Sequence, residues 1–127
     1  MAVGDFNNDG AEDVLVSVNG GSSLLLKNVS APENHWLGVR LVGKKSNPDA
    51  IGARITWQAG DLKRSKLKVG GGSYLSSHDP REVLGIGKRK KIDRVEIRWP
   101  QPSGRIETFT DLPIDRYITI VEGAGIR

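Results

Sequence analysis

Four apolar residues two apart, Ile51, Ala53, Ile55 and Trp57, alternate with Gly52, Arg54, Thr56 and Gln58, and this period of two is what most restricts the chain. Side chains of a strand point alternately to opposite faces, so such a set makes one face of a sheet and cannot make one stripe of a helix. Leu37, Val39 and Leu41 repeat the pattern against Gly38, Arg40 and Val42, and Val95, Ile97 and Trp99 repeat it against Arg94, Glu96 and Arg98. Each apolar set is expected to face a core. Pro100 and Pro102 end the last run, because proline has no amide hydrogen to give to a sheet.

Turn signals at Asn47-Pro48-Asp49, Ala59-Gly60-Asp61 and Ser103-Gly104 separate the runs, and helical periodicity nowhere outlasts a turn or two. After Ala59-Gly60-Asp61 the reading puts Leu67 and Val69 inward, with Arg64, Lys66 and Lys68 outward. The glycine-rich stretch from Gly70 to Arg81 is long for a connection, which suggests a working surface. The expected fold is all-β: an antiparallel β-sandwich or barrel of about seven to nine short strands, with an N-terminal β-hairpin carrying a calcium loop.

That loop is residues 5–13, D-F-N-N-D-G-A-E-D. Side-chain oxygens recur at Asp5, Asn7, Asp9 and Asp13, Ala11 can add a backbone carbonyl, and Gly10 stands where a chain curling around an ion must turn. Calcium takes about six to eight such oxygens. A helix-loop-helix site would need a bidentate Glu at its twelfth position, which is Val16 here, and the exit through Val14, Val16 and Val18 reads as a strand. An ordinary Asn-Asp-Gly turn without metal is the other reading. Ser23 to Lys27 returns as the second strand of the hairpin, which cannot bury both its faces alone. Residues 30–34, with Pro32, read as a linker between a first unit, 1–29, and a second, 34–122.

Nineteen Lys and Arg against fifteen Asp and Glu give a net charge of +4, unevenly spread. Basic residues gather at Lys44-Lys45, at Lys63, Arg64, Lys66 and Lys68, and at Lys88 to Lys91. Such clusters either solvate a β protein or meet polyanions. With no cysteine there are no disulfides and no thiolate metal sites. No run of about eighteen apolar residues is available to span a bilayer. The N-terminus enters the acidic loop without a basic and apolar leader, so any targeting segment is expected upstream.

The loop and the strand after it resemble the FG-GAP/VCBS calcium repeats of β-propellers. The second unit resembles the ASPIC/UnbV domain, through N-H-W-L-G-V-R-L at 34–41, S-N-P-D-A-I-G-A-R-I at 46–55, G-G-G-S-Y-L-S-S at 70–77, L-G-I-G at 84–87 and I-D-R-V-E-I-R-W-P at 92–100. Val83 stands where that family carries an aromatic. The tandem order resembles the cartilage acidic protein-like family. It implies an exported protein, extracellular, at the cell surface or periplasmic, whose upstream propeller repeats precede a β module used in adhesion or scaffolding. It implies Ca2+ at Asp5, Asn7, Asp9, Ala11 and Asp13, and no catalytic set.

Other patterns are weaker. Ser76, Ser77, His78 and Asp79 hold the ingredients of a nucleophilic triad, but adjacency is not convergence. Gly38 to Lys45 fits a phosphate loop only until Lys45, where Ser or Thr should follow the lysine, and it lies on a strand. His35 and His78 make no zinc signature. The chain is therefore read as no enzyme and no specific nucleic-acid binder. Trp57 and Trp99 share faces with Ile55 and Ile97, whereas Trp36 falls out of phase with Leu37 and is expected on the surface. Trp36 and Tyr74 are the candidate carbohydrate contacts, since an exposed aromatic can stack on a sugar ring. The alternatives to adhesion are thus carbohydrate recognition and polyanion binding, and the partner an extracellular protein or glycan.

Overall fold

The computed structural model describes residues 1–30 and 33–127, so the break expected at Pro32 lies outside the described residues. An antiparallel sheet opens the chain: β1 (Ala2–Gly4), β2 (Asp13–Val16) and β3 (Leu24–Leu26), in that order. The acidic loop joins β1 to β2, and the expected hairpin is β2–β3 with β1 added on its other edge.

Ten strands follow. They are β4 (His35–Val42), β5 (Arg54–Ala59), β6 (Leu62–Leu67), β7 (Gly72–Ser73), β8 (Ser76–Ser77), β9 (Glu82–Gly87), β10 (Arg94–Arg98), β11 (Ile106–Phe109), β12 (Tyr117–Val121) and β13 (Gly125–Ile126). Two four-stranded sheets, β11-β10-β5-β6 and β13-β12-β4-β9, enclose one core, and β7–β8 is a separate two-stranded hairpin. The core is built from the expected alternations: Leu37, Val39 and Leu41 of β4, Ile55 and Trp57 of β5, Val95 and Ile97 of β10, joined by Leu84, Ile86, Trp99, Ile118 and Ile120. The protein is an all-β sandwich. Not every pairing is antiparallel, however, for β12 enters beside β4 in the same direction, Tyr117 opposite Gly38 and Val121 opposite Val42. The chain between β11 and β12 passes from one sheet to the other and so arrives parallel.

Three phase expectations fail for physical reasons. Ile51 lies in a turn ahead of β5 and is exposed, so the inward set begins at Ala53. At the end of β6 and just beyond it the phase is inverted: Leu67 and Val69 are exposed while Lys68 is only 3% exposed. Register explains it. Directly opposed residues share a face, and Arg64 pairs with Trp57 and Lys66 with Ile55, both core residues of β5. The row Leu62, Arg64, Lys66 is therefore the inner row of an edge strand, and only its first residue reaches the core.

Beyond Leu62 that row meets β9, the edge of the other sheet. Lys66 Nζ lies 2.7 Å from Glu82, Lys68 Nζ lies 3.6 Å from the same carboxylate, and Lys68 also donates to the Pro80 carbonyl. An ionic seam thus closes one open side of the sandwich. The third correction is Trp36, which is buried and 7% exposed, because the acidic loop covers it.

Candidate functional site

The acidic loop is built from its own carboxylates. Asp5 is buried, and its Oδ1 accepts the Asp9 amide at 3.0 Å while Oδ2 accepts the Gly10 amide at 2.8 Å. Asp13, equally buried, accepts the amides of Phe6 at 3.0 Å and Asn28 at 2.7 Å, tying the loop to the chain beyond β3. Asp9 accepts the Ala11 amide at 2.9 Å and the Asn7 side-chain amide at 2.7 Å, and these bonds hold its carboxyl below the usual range. Asn8 and Gly10 take φ of 58° and 85°, the left-handed conformation that such a curl requires.

The sandwich grips this loop from outside. Tyr117 on β12 donates its hydroxyl to Asp5 Oδ2 at 2.6 Å. Burial raises the Tyr117 hydroxyl pKa, and the Asp5 carboxylate beside it raises it further. Arg81 Nη2 donates to the Asp5 carbonyl at 2.9 Å and Nη1 to Asn8 Oδ1 at 2.6 Å, while the guanidinium sits 4.0 Å over the Tyr117 ring. Asp79 holds that guanidinium in place with contacts of 2.6 to 3.0 Å. Burial alone would raise the Asp79 carboxyl, and the Arg81 bonds reverse the sign and lower it.

Two glycines allow the close fit. A Cβ on Gly10 would stand 2.2 Å from the Trp36 ring, and one on Gly38 would stand 2.1 Å from the Tyr117 ring. Trp36 and Tyr117 meet edge to face at 5.0 Å. The β1 edge is engaged as well: the Val3 amide donates to His78 Nδ1 at 3.2 Å and the Asp79 amide donates to the Val3 carbonyl at 2.9 Å. The polar atoms of the Ser-Ser-His-Asp stretch thereby hold β1.

Asp5, Asn7, Asp9, Ala11 and Asp13 lie along one hydrogen-bonded curl. An ionised carboxylate offers about four lone-pair directions. Asp5 spends three on protein donors, and Asp9 and Asp13 two each. The donor set is all oxygen, the chemistry a hard divalent cation takes, and acceptor capacity remains. Among the described residues, however, no three acidic or histidine side chains converge on one point. The two aromatic candidates are not brought together. Trp36 lines a groove beside the loop, and Tyr74 stands 88% exposed at the tip of the β7–β8 hairpin with Leu75. Sequence reasoning missed Arg81 and Tyr117, whose partners lie 76 and 112 residues away. The available signal was small: an arginine closing the long loop, and a glycine within a buried strand.

The fold and the site define a class, a β-sandwich domain with an N-terminal sheet keyed onto it through an aspartate-rich loop. Residues 43–127 match the family model described as ASPIC and UnbV, and the chain belongs to that family. The match begins just after β4, so N-H-W-L-G-V-R-L lies ahead of it, and it runs past Glu122 through β13. No curated protein matches the chain. Among the described residues no helix is long and apolar enough to cross a membrane.

Proposed function

We propose that this chain is a non-catalytic β module of an exported multidomain protein, acting in adhesion or scaffolding, with calcium fixing its N-terminal loop. The carrying observation is the state of the first sheet. Leu15, Leu24, Leu25 and Leu26 are all exposed, on adjacent and alternating positions of β2 and β3, so neither face of that sheet is fully covered. Its loop, by contrast, is keyed into the sandwich through Asp5, Trp36, Arg81 and Tyr117. A sheet anchored at one end and bare on its leucines is suited to be a joint between the sandwich and an adjoining domain. The likeness of the loop to FG-GAP/VCBS repeats, and of the tandem to the cartilage acidic protein-like family, makes upstream propeller repeats the natural neighbours. It also makes calcium-rich extracellular, surface or periplasmic space the natural location.

In this reading Asp5, Asn7, Asp9 and Asp13, with the Ala11 carbonyl, hold the ion, and Asn7 and Asp9 are the ligands that must turn inward, since both are exposed. Calcium neutralises the clustered carboxylates and fixes the curl. Its effect on stability follows RT ln(1 + [L]/Kd), about 2.7 kcal/mol at a hundredfold excess over Kd. Thermal unfolding across a calcium series is expected to show a melting temperature that climbs with the logarithm of concentration, and Asp13→Asn is expected to flatten that climb. A melting temperature unmoved at millimolar calcium would remove the metal from the reading. The joint is tested separately: the bare leucines should bind a hydrophobic dye, and the signal should vanish when the adjoining upstream segment is present in the same chain. Persistent dye binding in the longer chain refutes the joint.

A further inference from the structure

A groove of about 780 Å3 runs between the acidic loop and the facing edges of β6 and β9, and it holds a donor that the fold does not use. Trp36 lines it, yet its indole N–H has no acceptor within hydrogen-bonding distance among the described residues. The other two indoles are satisfied, Trp57 by the Gly85 carbonyl at 3.0 Å and Trp99 by Glu107 at 2.6 Å. Among the described residues no fully buried side-chain nitrogen lacks a partner. The Trp36 N–H is therefore not fully buried in this 7% exposed residue, although Gly10 packs against the same edge of the ring.

Cations flank it. Arg64, third residue of β6, lines the groove and makes no ion pair among the described residues, while Lys66 beside it is taken by Glu82. Lys27 faces it from the other wall and reaches Asp9 only at 4.0 Å. Asn28, Ser30 and Asn34 supply uncharged polar groups along the rim. We propose that this groove binds an acidic oligosaccharide. Carboxylate or sulfate oxygens accept from the Trp36 indole and pair with Arg64 and Lys27, and sugar hydroxyls meet Asn28, Ser30 and Asn34. This supplies a partner class for the adhesion reading and rests on it.

A nucleic acid fits less well. Base stacking needs an open aromatic face, and the Trp36 ring is packed against Gly10 and Tyr117. Asp9 and Glu12 line the same groove, and Asp61 engages Arg89, so a continuous phosphate backbone would meet repulsion where a sparsely charged sugar would not.

The test is a titration of the 15N-labelled protein, in which each indole N–H gives its own resonance. The probes are a uronate oligosaccharide, a sulfated oligosaccharide, a neutral oligosaccharide of equal length, and single-stranded DNA. The Trp36 resonance is expected to shift with one or both acidic sugars while those of Trp57 and Trp99 stay, and which sugar acts identifies the anionic group. Arg64→Ala is expected to weaken binding roughly tenfold at an unchanged melting temperature, as loss of a charge-assisted hydrogen bond implies, and added salt should weaken the parent. The proposal is overturned if neither acidic sugar moves Trp36 at millimolar concentration, if the neutral sugar or the DNA binds as tightly, or if Arg64→Ala binds like the parent. Such a result with the dye and calcium tests intact would leave the scaffold reading standing and remove the glycan.

Discussion

One carboxylate oxygen of Glu122 accepts four hydrogen bonds, from the amides of Lys44, Lys45 and Ser46 at 2.7 to 3.0 Å and from the Ser46 hydroxyl at 2.8 Å. Burial by itself would raise this carboxyl, but donors from Ser103, Ser46 and Lys44 prevail and lower it from 4.5 to about 2. The depressed value fixes the sign of a pH effect. The ionised form is favoured by folding, so its contribution is complete above the unfolded value and is lost as pH falls toward the folded one. Acid unfolding of the parent should steepen between about pH 4.5 and 2, and Glu122→Gln, which keeps the shape but not the charge, should be less stable at neutral pH and flatter over that window. Equal slopes for the two proteins in acid titrations of stability would contradict this. The turn before Ser46 is anchored by a residue 76 positions away, which no local spacing could announce.

At the scale of elements, strands with an inward apolar face were readable and the edge strand was not. The alternations in β4, β5 and β10 stand because each of these strands lies inside a sheet, where the inner row meets the core along its length. In β6 the inner row runs past the core, and burial there is ionic, so an inside-apolar pattern points the wrong way. The same logic hid Trp36: β4 is covered on both sides at that end, by the core and by the acidic loop, and a period of two detects only one. Removing one partner of a buried ion pair costs about 3 to 5 kcal/mol, because the other charge is left in a poorly solvated place. Glu82→Ala leaves the buried Lys68 charge without a counter-ion and with only the Pro80 carbonyl, and is expected to lose stability of that order in denaturant titrations, whereas Lys63→Ala on the outer row should change it by less than about 0.5 kcal/mol. A loss below about 1 kcal/mol for Glu82→Ala would mean the seam contributes little.

Taken whole, the molecule has one core and one appendage. The buried cluster draws nothing from residues 1–29, so the sandwich is expected to fold without the first sheet. The first sheet needs the sandwich: three short strands with uncovered leucines are marginal alone, and their anchors are the Tyr117 hydroxyl on Asp5, the Arg81 fork and the β1 edge bonds. A hydrogen bond to a charged group is worth about 1.5 to 3 kcal/mol, a large share of what holds so small a sheet. Tyr117→Phe should therefore open the sheet without opening the core. In native-state hydrogen exchange the amides of β2 and β3 are expected to speed up roughly ten- to hundredfold, following that free energy, while those of Ile55 and Val95 keep the parent rate. A chain of residues 33–127 alone should unfold cooperatively and keep the protection of Ile55 and Val95, with Trp36 newly open to solvent and its fluorescence shifted to the red. Uniform acceleration in Tyr117→Phe, or a shortened chain without a cooperative transition, would show instead that sheet and sandwich fold as one unit.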